Sequence, residues 1–278
     1  MYKDKIALIP GASRPVGRAI AHAFGRVGMH LVLPFIEDWP ESHEEMIEDF
    51  NTHGYSFFSH PCDLTDPAQV KNLSSLVRSK FGKLHFLINN IERGGMPIVH
   101  GSYKLPVNEQ QWQLEFDTTL RAKFDLYQAS MPLILESGGG SVTNISSIAG
   151  LIGRSGPGSL LFSDGYSCAN RGITSLTETW AREAGPLVRV NEVMIGLVEG
   201  RHGEKTRGWS LLSRDQRQEL LDHTLLKRTA QPSEIADVVF YIATAASYIT
   251  GSRIIADGGY HLAGDHVSVL PPGDLSQP

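Results

Sequence analysis

Cysteine is nearly absent from this 278-residue chain: Cys62 and Cys168 stand far apart and form no metal-ligand cluster. That usage argues against a disulfide framework or a thiolate metal centre and fits a reducing compartment with idle thiols. Long apolar runs are missing as well; no stretch approaches the ~20 apolar residues that a membrane helix requires. The first residues, MYKDKIALIPGAS, pass from a short apolar run straight into a glycine loop, without the apolar core or cleavage site of an export signal. A cytoplasmic location is therefore expected. Positive charge is not in excess: 25 Lys and Arg against 30 Asp and Glu give a net charge of −5, so nucleic acid is not an expected partner. Internal repeats, low-complexity tracts and interdomain linkers are also missing.

What is present is the composition of an ordinary globular domain, 41% hydrophobic and 20% charged, with enough chain to bury a substantial core. Short apolar runs rich in β-branched residues alternate with longer amphipathic segments. The runs are KIALIP (5–10), HLVLPF (30–35), SFFSHPC (56–62), HFLINN (85–90), SVTNIS (141–146), VRVNEVMI (188–195) and SRIIAD (252–257). Seven strands joined by crossover helices predict a single α/β domain over residues 1–262, with a Rossmann-like, doubly wound, parallel seven-stranded sheet. The long polar, helix-patterned segment 196–232 falls where ligands usually dock on such a sheet and reads as a substrate lid, and 263–278 reads as a surface tail.

After the first run comes PGASRPVGRAIAHAFGRVG. Gly11 permits a tight turn, Gly17 permits close approach of helix to sheet, and the helix N-terminus offers free N–H groups and a positive dipole end to a phosphate. Val16, Ile20 and Phe24 recur every four residues, the stripe of a helix buried on one side.

This loop resembles the T-G-x-x-x-G-x-G signature of the short-chain dehydrogenase/reductase family. Further landmarks follow in that family's order: CDLTDPAQV, INN (88–90), SVTNISSIAG (141–150), YSCAN (166–170), RVNEV and PSEIADVVFYIATAASYITGSRIIADGG (232–259). The resemblance implies a dinucleotide site formed by Gly11, Ser13, Arg14, Val16, Gly17, Asp63, Leu64, Asn89, Tyr166, Asn170, Gly196 and Val198. Asp63 matches an aspartate that bonds the adenine amino group, and Asn89 the first Asn of an N-N-A-G loop beside the cofactor. Phe35 stands where NAD enzymes place an acidic residue on the ribose, while Arg14 matches the basic residue of NADP-preferring relatives. NADP is thus the expected cofactor, with NAD the alternative if Glu37 or Asp38 turns toward the ribose.

The same resemblance implies catalysis by Ser147, Tyr166, Asn170 and Thr119. In the family a tyrosine protonates a carbonyl oxygen, a serine holds that oxygen, a lysine binds the ribose and lowers the tyrosine pKa, and an asparagine completes a proton relay. Ser147 and Tyr166 match the serine and the tyrosine, separated by the long connection 154–165. Asn170 takes the place of the lysine, four residues after Tyr166 and so on the same helix face, where its amide is expected to reach ribose hydroxyls. It brings no charge. Thr119 takes the relay position, Pro15 replaces a loop glycine, Ile91 and Glu92 replace Ala-Gly, Ile195 a proline, and Gly200 a threonine. Lys123, one turn after Thr119, is the candidate to replace the missing cation, although a lysine on such a helix normally extends into solvent.

These residues imply an NADP-dependent oxidoreductase acting on a small carbonyl or alcohol substrate. The helices over 112–135 and 166–184 resemble those that pair subunits in relatives, so a homodimer or homotetramer is expected. The accumulated departures leave open a nucleotide-binding scaffold or sensor, and also a different reaction built with His202 or Glu199. No metal site is expected.

Overall fold

The computed structural model describes residues 2–37, 40–92, 96–101, 109–200 and 208–264. Along the chain, β1 (Ile6–Leu8), α1 (Pro15–Gly25), β2 (His30–Phe35), α2 (Pro40–Thr52), β3 (Phe57–Pro61), α3 (Pro67–Phe81) and β4 (Phe86–Asn89) form the first half. The second half holds α4 (Pro97–His100), α5 (Glu109–Phe116), a π-helical turn (Asp117–Arg121), α6 (Ala122–Glu136), β5 (Gly140–Ser147), α7 (Ala149–Ile152), α8 (Asp164–Ala184), β6 (Val188–Ile195), α9 (Arg214–His223), α10 (Pro232–Thr244) and β7 (Arg253–Ala256). The strands make one sheet in the order β3-β2-β1-β4-β5-β6-β7, every pairing parallel. This is the expected doubly wound α/β fold.

Side chains alternate across the strands, so each face carries its own core. Ala7, Leu31, Leu33, Ile88, Ile145 and Val193 face α1 and α10, whereas Leu8, Val32, Leu87, Val142 and Val190 face α3, α6 and α8. A third apolar cluster joins Ile148, Phe162 and Tyr166 to Leu197, Trp209, Leu212, Leu220 and Tyr260, which ties the chain after β6 to the start of α8.

β2 and β6 run over the residues that the β-branched runs mark, and the other strands differ from them only at their ends. The helix expected over 112–135 is instead interrupted by the π-helical turn, which places Thr119 inside the protein with no exposed surface. The α8 backbone presses against this turn: a Cβ on Gly172 would lie 3.0 Å from Leu120 Cδ2. Widened turns of this kind recur at functional sites. No helix among the described residues is long and apolar enough to cross a membrane.

Strand order reverses between β1 and β4, which opens a crevice at their C-terminal ends. The chain after β1 carries Gly11 and the chain after β4 carries Asn90 and Glu92, so both loops flank it.

Candidate active site

At the crevice the two loops are in contact. Gly11 has φ +70°, and a Cβ there would sit 2.7 Å from the Asn90 carbonyl oxygen; a Cβ on Gly17 would sit 2.2 Å from the Gly11 oxygen. Both positions therefore need glycine. Pro15 begins α1, Arg14 is its N-cap without a side-chain cap, and no acidic residue lies in the first turn. No side chain of that turn caps or neutralises it, so its N–H groups and dipole suit an anion. Arg18 donates to the Ser13 carbonyl at 2.9 Å and the Ser42 carbonyl at 2.7 Å, which ties the glycine loop to α2. Partial burial and the neighbouring Arg18 charge lower the Arg14 pKa. The Phe35 ring stacks on His43 at 3.6 Å, so an aromatic wall, not a carboxylate, ends β2. An anionic dinucleotide fits this cradle.

Other residues expected at the cofactor have structural duties. Asp63 Oδ1 accepts from the Thr65 amide at 2.9 Å and hydroxyl at 2.7 Å, holding the turn before α3, and Leu64 is buried beside it. Asn89 Nδ2 donates to the Lys123 carbonyl at 3.0 Å and to Asn144 Oδ1 at 3.3 Å, stitching β4 to α6 and β5. Gly196 follows β6, where a Cβ would lie 2.7 Å from Asp257 Cα, and Val198 is fully buried in a parallel bridge with Ala230. Gly200 has φ +76°, and a Cβ there would lie 3.0 Å from Pro15 Cγ, so two of the family departures meet. Glu199 pairs with Gln231. Asp38, residues 201–207 of the expected lid with His202 among them, and residues 265–278 of the tail lie outside the described residues.

α8 starts where it does because Ser163 caps it, its hydroxyl accepting from the Tyr166 amide at 3.3 Å while donating to Glu115 Oε2 at 2.9 Å. That cap puts Tyr166 in the first turn, beside the C-terminal end of β5. Ser147, the last residue of β5, and Asn170, one turn further along α8, complete the group. Tyr166 is 2% exposed, Ser147 2% and Asn170 0%. Burial pushes the Tyr166 phenol well above its ordinary pKa, hydrogen bonding to the Ser147 and Asn170 side chains pulls it back, and the charge of Glu115 raises it again. The catalytic residues expected from the sequence, Ser147, Tyr166 and Asn170, are thus brought together. Thr119 is buried in the π-helical turn packed against α8.

Asn170 differs from expectation. Its Oδ1 accepts from the Ser147 amide at 3.0 Å and its Nδ2 donates to the Tyr166 carbonyl at 2.9 Å. The amide staples α8 to β5 instead of reaching toward a ribose, because full burial leaves the strand-end N–H with no water to bond.

Two further residues behave differently from the sequence expectation. The Tyr166 hydroxyl donates to Glu92, 3.0 Å from each carboxylate oxygen. Lys123, expected in solvent, is 1% exposed, and its ammonium donates to the Ile91 carbonyl immediately before Glu92. Burial lowers the Lys123 pKa to about 7 against the opposing charge of Glu192. Burial raises the Glu192 carboxyl in turn, more than the hydrogen bond from Ser146 and the charges of Arg253 and Lys123 lower it. The signal for Lys123 was in the sequence: it lies four residues after Thr119 and four before Tyr127, both buried, on the inward stripe.

A family model described as enoyl-(acyl carrier protein) reductase matches residues 11–261. The 3-oxoacyl-(acyl-carrier-protein) reductase of Staphylococcus aureus strain Mu50 is 29% identical over 264 residues, covering 94% of this chain and 100% of its own. The cyclohexanol dehydrogenase of Acinetobacter sp. strain SE19 is 30% identical over 261 residues, covering 93% and 96%. Among solved structures, the NADPH-dependent 3-quinuclidinone reductase of Rhodotorula rubra matches with a TM-score of 0.80 at 23% identity, covering 94% of this chain and 92% of its own. A short-chain type dehydrogenase/reductase of Mycobacterium ulcerans matches with a TM-score of 0.80 at 21% identity, covering 94% and 91%. Both structures show the fold.

Proposed function

The chain belongs to the short-chain dehydrogenase/reductase family of oxidoreductases, and from that premise we propose that it interconverts a small carbonyl compound and its alcohol with NADP(H). The observation that carries the reading is the convergence of the Tyr166 phenol with Ser147 at the end of β5, across the crevice from the glycine cradle. Gly11, Gly17 and the first turn of α1 hold the diphosphate, with Arg14 on the 2′-phosphate side. The bound nicotinamide supplies or accepts the hydride. Ser147 orients the substrate oxygen, and Tyr166 exchanges a proton with it. Asn170 keeps both groups in register through the bonds described above. The segment 196–232 acts as the substrate lid, its apolar residues Leu197, Trp209 and Leu212 packing toward Tyr166. The active unit is a homodimer or homotetramer.

The test is fluorescence titration of the purified protein with NADPH and NADH, followed by turnover assays on a panel of ketones and secondary alcohols. Binding with turnover is expected. Binding without turnover on any carbonyl or alcohol favours a sensor, the reading suggested by a carboxylate bonded to the phenol and by the uncharged Asn170 in place of the family's lysine.

A further inference from the structure

We propose that Glu92 is the proton partner of Tyr166, so that this active site stores its exchangeable proton on a carboxyl group and not on a lysine-stabilised phenolate. The proposal rests on the oxidoreductase reading above and specifies how its proton moves.

The geometry makes the case. Both Glu92 oxygens lie 3.0 Å from the Tyr166 hydroxyl, from a loop 74 residues earlier in the chain. The loop is fixed from behind, because Lys123 reaches through the core from α6 to the carbonyl of Ile91. Among the described residues, the charged groups near the pair include Glu115, hydrogen-bonded to the α8 cap; Lys123, whose ammonium meets Ile91; and Glu192 on β6, facing Lys123. Lys123 is bound to backbone next to Glu92, and the charge of Glu115 acts on the phenol.

Tyr166 is buried and Glu92 half-buried, and a carboxylate at hydrogen-bond distance from a buried phenol strongly disfavours a second negative charge on it. A phenolate on Tyr166 beside an ionised Glu92 is therefore closed off, and only states in which the pair carries at most one negative charge are populated. Proton transfer must then pass through both groups. In carbonyl reduction the Tyr166 O–H bond breaks as its proton joins the substrate oxygen, and the Glu92 O–H bond breaks as its proton joins the Tyr166 oxygen; solvent reprotonates Glu92. In alcohol oxidation the substrate proton joins Tyr166 while the Tyr166 proton passes to ionised Glu92. In either direction a bound dinucleotide would supply or accept the hydride at the substrate carbon, carrying the two electrons that balance the proton moved by Tyr166. Reduction needs Glu92 protonated and oxidation needs it ionised, so pH selects the direction through Glu92.

The cofactor-free protein gives the first readout. Infrared difference spectra across a pH titration are expected to show a carboxylic acid band that Glu92→Gln removes. Ultraviolet difference titration against Tyr166→Phe is expected to show Tyr166 ionising at lower pH in Glu92→Gln than in the parent protein, because the neighbouring carboxylate is gone. The second readout is kcat/KM with cyclohexanone and NADPH, and with cyclohexanol and NADP, as a function of pH. The parent protein is expected to lose reduction and gain oxidation as pH rises through one shared midpoint. Glu92→Gln is expected to fall about 100-fold or more in both directions with that midpoint abolished. Glu92→Asp, which keeps an ionisable group, retains the midpoint at a reduced rate. An unchanged pH profile in Glu92→Gln, or Tyr166 titrating as in the parent, overturns the proposal. Failure of the parent protein to bind NADPH would overturn the oxidoreductase reading instead, while the two spectroscopic titrations still decide whether Glu92 and Tyr166 share a proton.

Discussion

The side chain of Asn170 accepts a hydrogen bond from the backbone amide of Ser147 at 3.0 Å while donating to the Tyr166 carbonyl at 2.9 Å, so one buried amide holds strand β5 against helix α8 at the point where the serine and the tyrosine meet. Removing it leaves the Ser147 N–H and the Tyr166 carbonyl to find other partners in a dry site. Asn170→Ala is expected to destabilise the protein by about 1–3 kcal/mol, seen in urea denaturation as a lower midpoint at unchanged slope. A residue whose amide served only a bound ribose would leave the cofactor-free stability unaltered.

Turnover is expected to separate from binding at Tyr166. The phenol is buried and its hydroxyl is engaged by Glu92, so Tyr166→Phe removes the proton route without altering the glycine cradle. Activity should fall about 100-fold or more while the NADPH dissociation constant stays within about threefold of the parent. Fluorescence titration and steady-state rates on the same preparation decide it.

Cofactor choice should follow Arg14 and Phe35. With no carboxylate at the end of β2 and a guanidinium at the head of α1, the 2′-phosphate of NADPH gains a charge-assisted contact that NADH cannot make. Arg14→Ala is expected to weaken NADPH by about tenfold or more, with NADH affected much less. Phe35→Asp is expected to invert the preference. The ratio of the two dissociation constants is the measurement.

The glycine cradle gives a steric prediction. A methyl group at Gly17 would lie 2.2 Å from the Gly11 oxygen, a backbone atom that cannot swing aside. Gly17→Ala should therefore shift the loop, destabilise the protein by about 1–3 kcal/mol, and abolish the thermal shift that NADPH produces in the parent.

The parts of this architecture that were readable from the chain are those governed by short-range rules. HLVLPF and VRVNEVMI name β2 and β6 without error because buried parallel strands are short runs dominated by apolar residues, and Gly11 and Gly17 announce a turn that admits no Cβ. Ser147 and Tyr166 were also legible, since each sits at the end of an element whose boundary the sequence marks. The direction of a side chain on an irregular loop was not. Glu92 read only as a replacement for a loop glycine; it turns to Tyr166 beside Ile91, which is pinned by Lys123, a contact spanning 32 residues that no local pattern encodes. Asn170 was likewise placed on the right helix face, but its partner, the Ser147 amide, lies across the interface between strand and helix.

Lys123 gives the last prediction, and its sign follows from burial. An ordinary lysine holds its proton up to about pH 10.4, as it does in the unfolded chain. In the folded protein burial lowers the Lys123 pKa to about 7. Between these values the unfolded chain carries a proton that the folded protein has released, so this group makes stability rise with pH from about 7 toward 10. Glu192 works in the opposite sense lower down: its raised pKa means the folded state holds a proton above the ordinary carboxylate range, and stability from that group declines as pH rises through it. Lys123→Met retains the length of the side chain and abolishes the titration. Urea midpoints measured from pH 7 to 9.5 should climb in the parent protein relative to Lys123→Met. Parallel curves would mean that the amine stays charged in the core, held by Glu192 and the Ile91 carbonyl strongly enough to offset its desolvation.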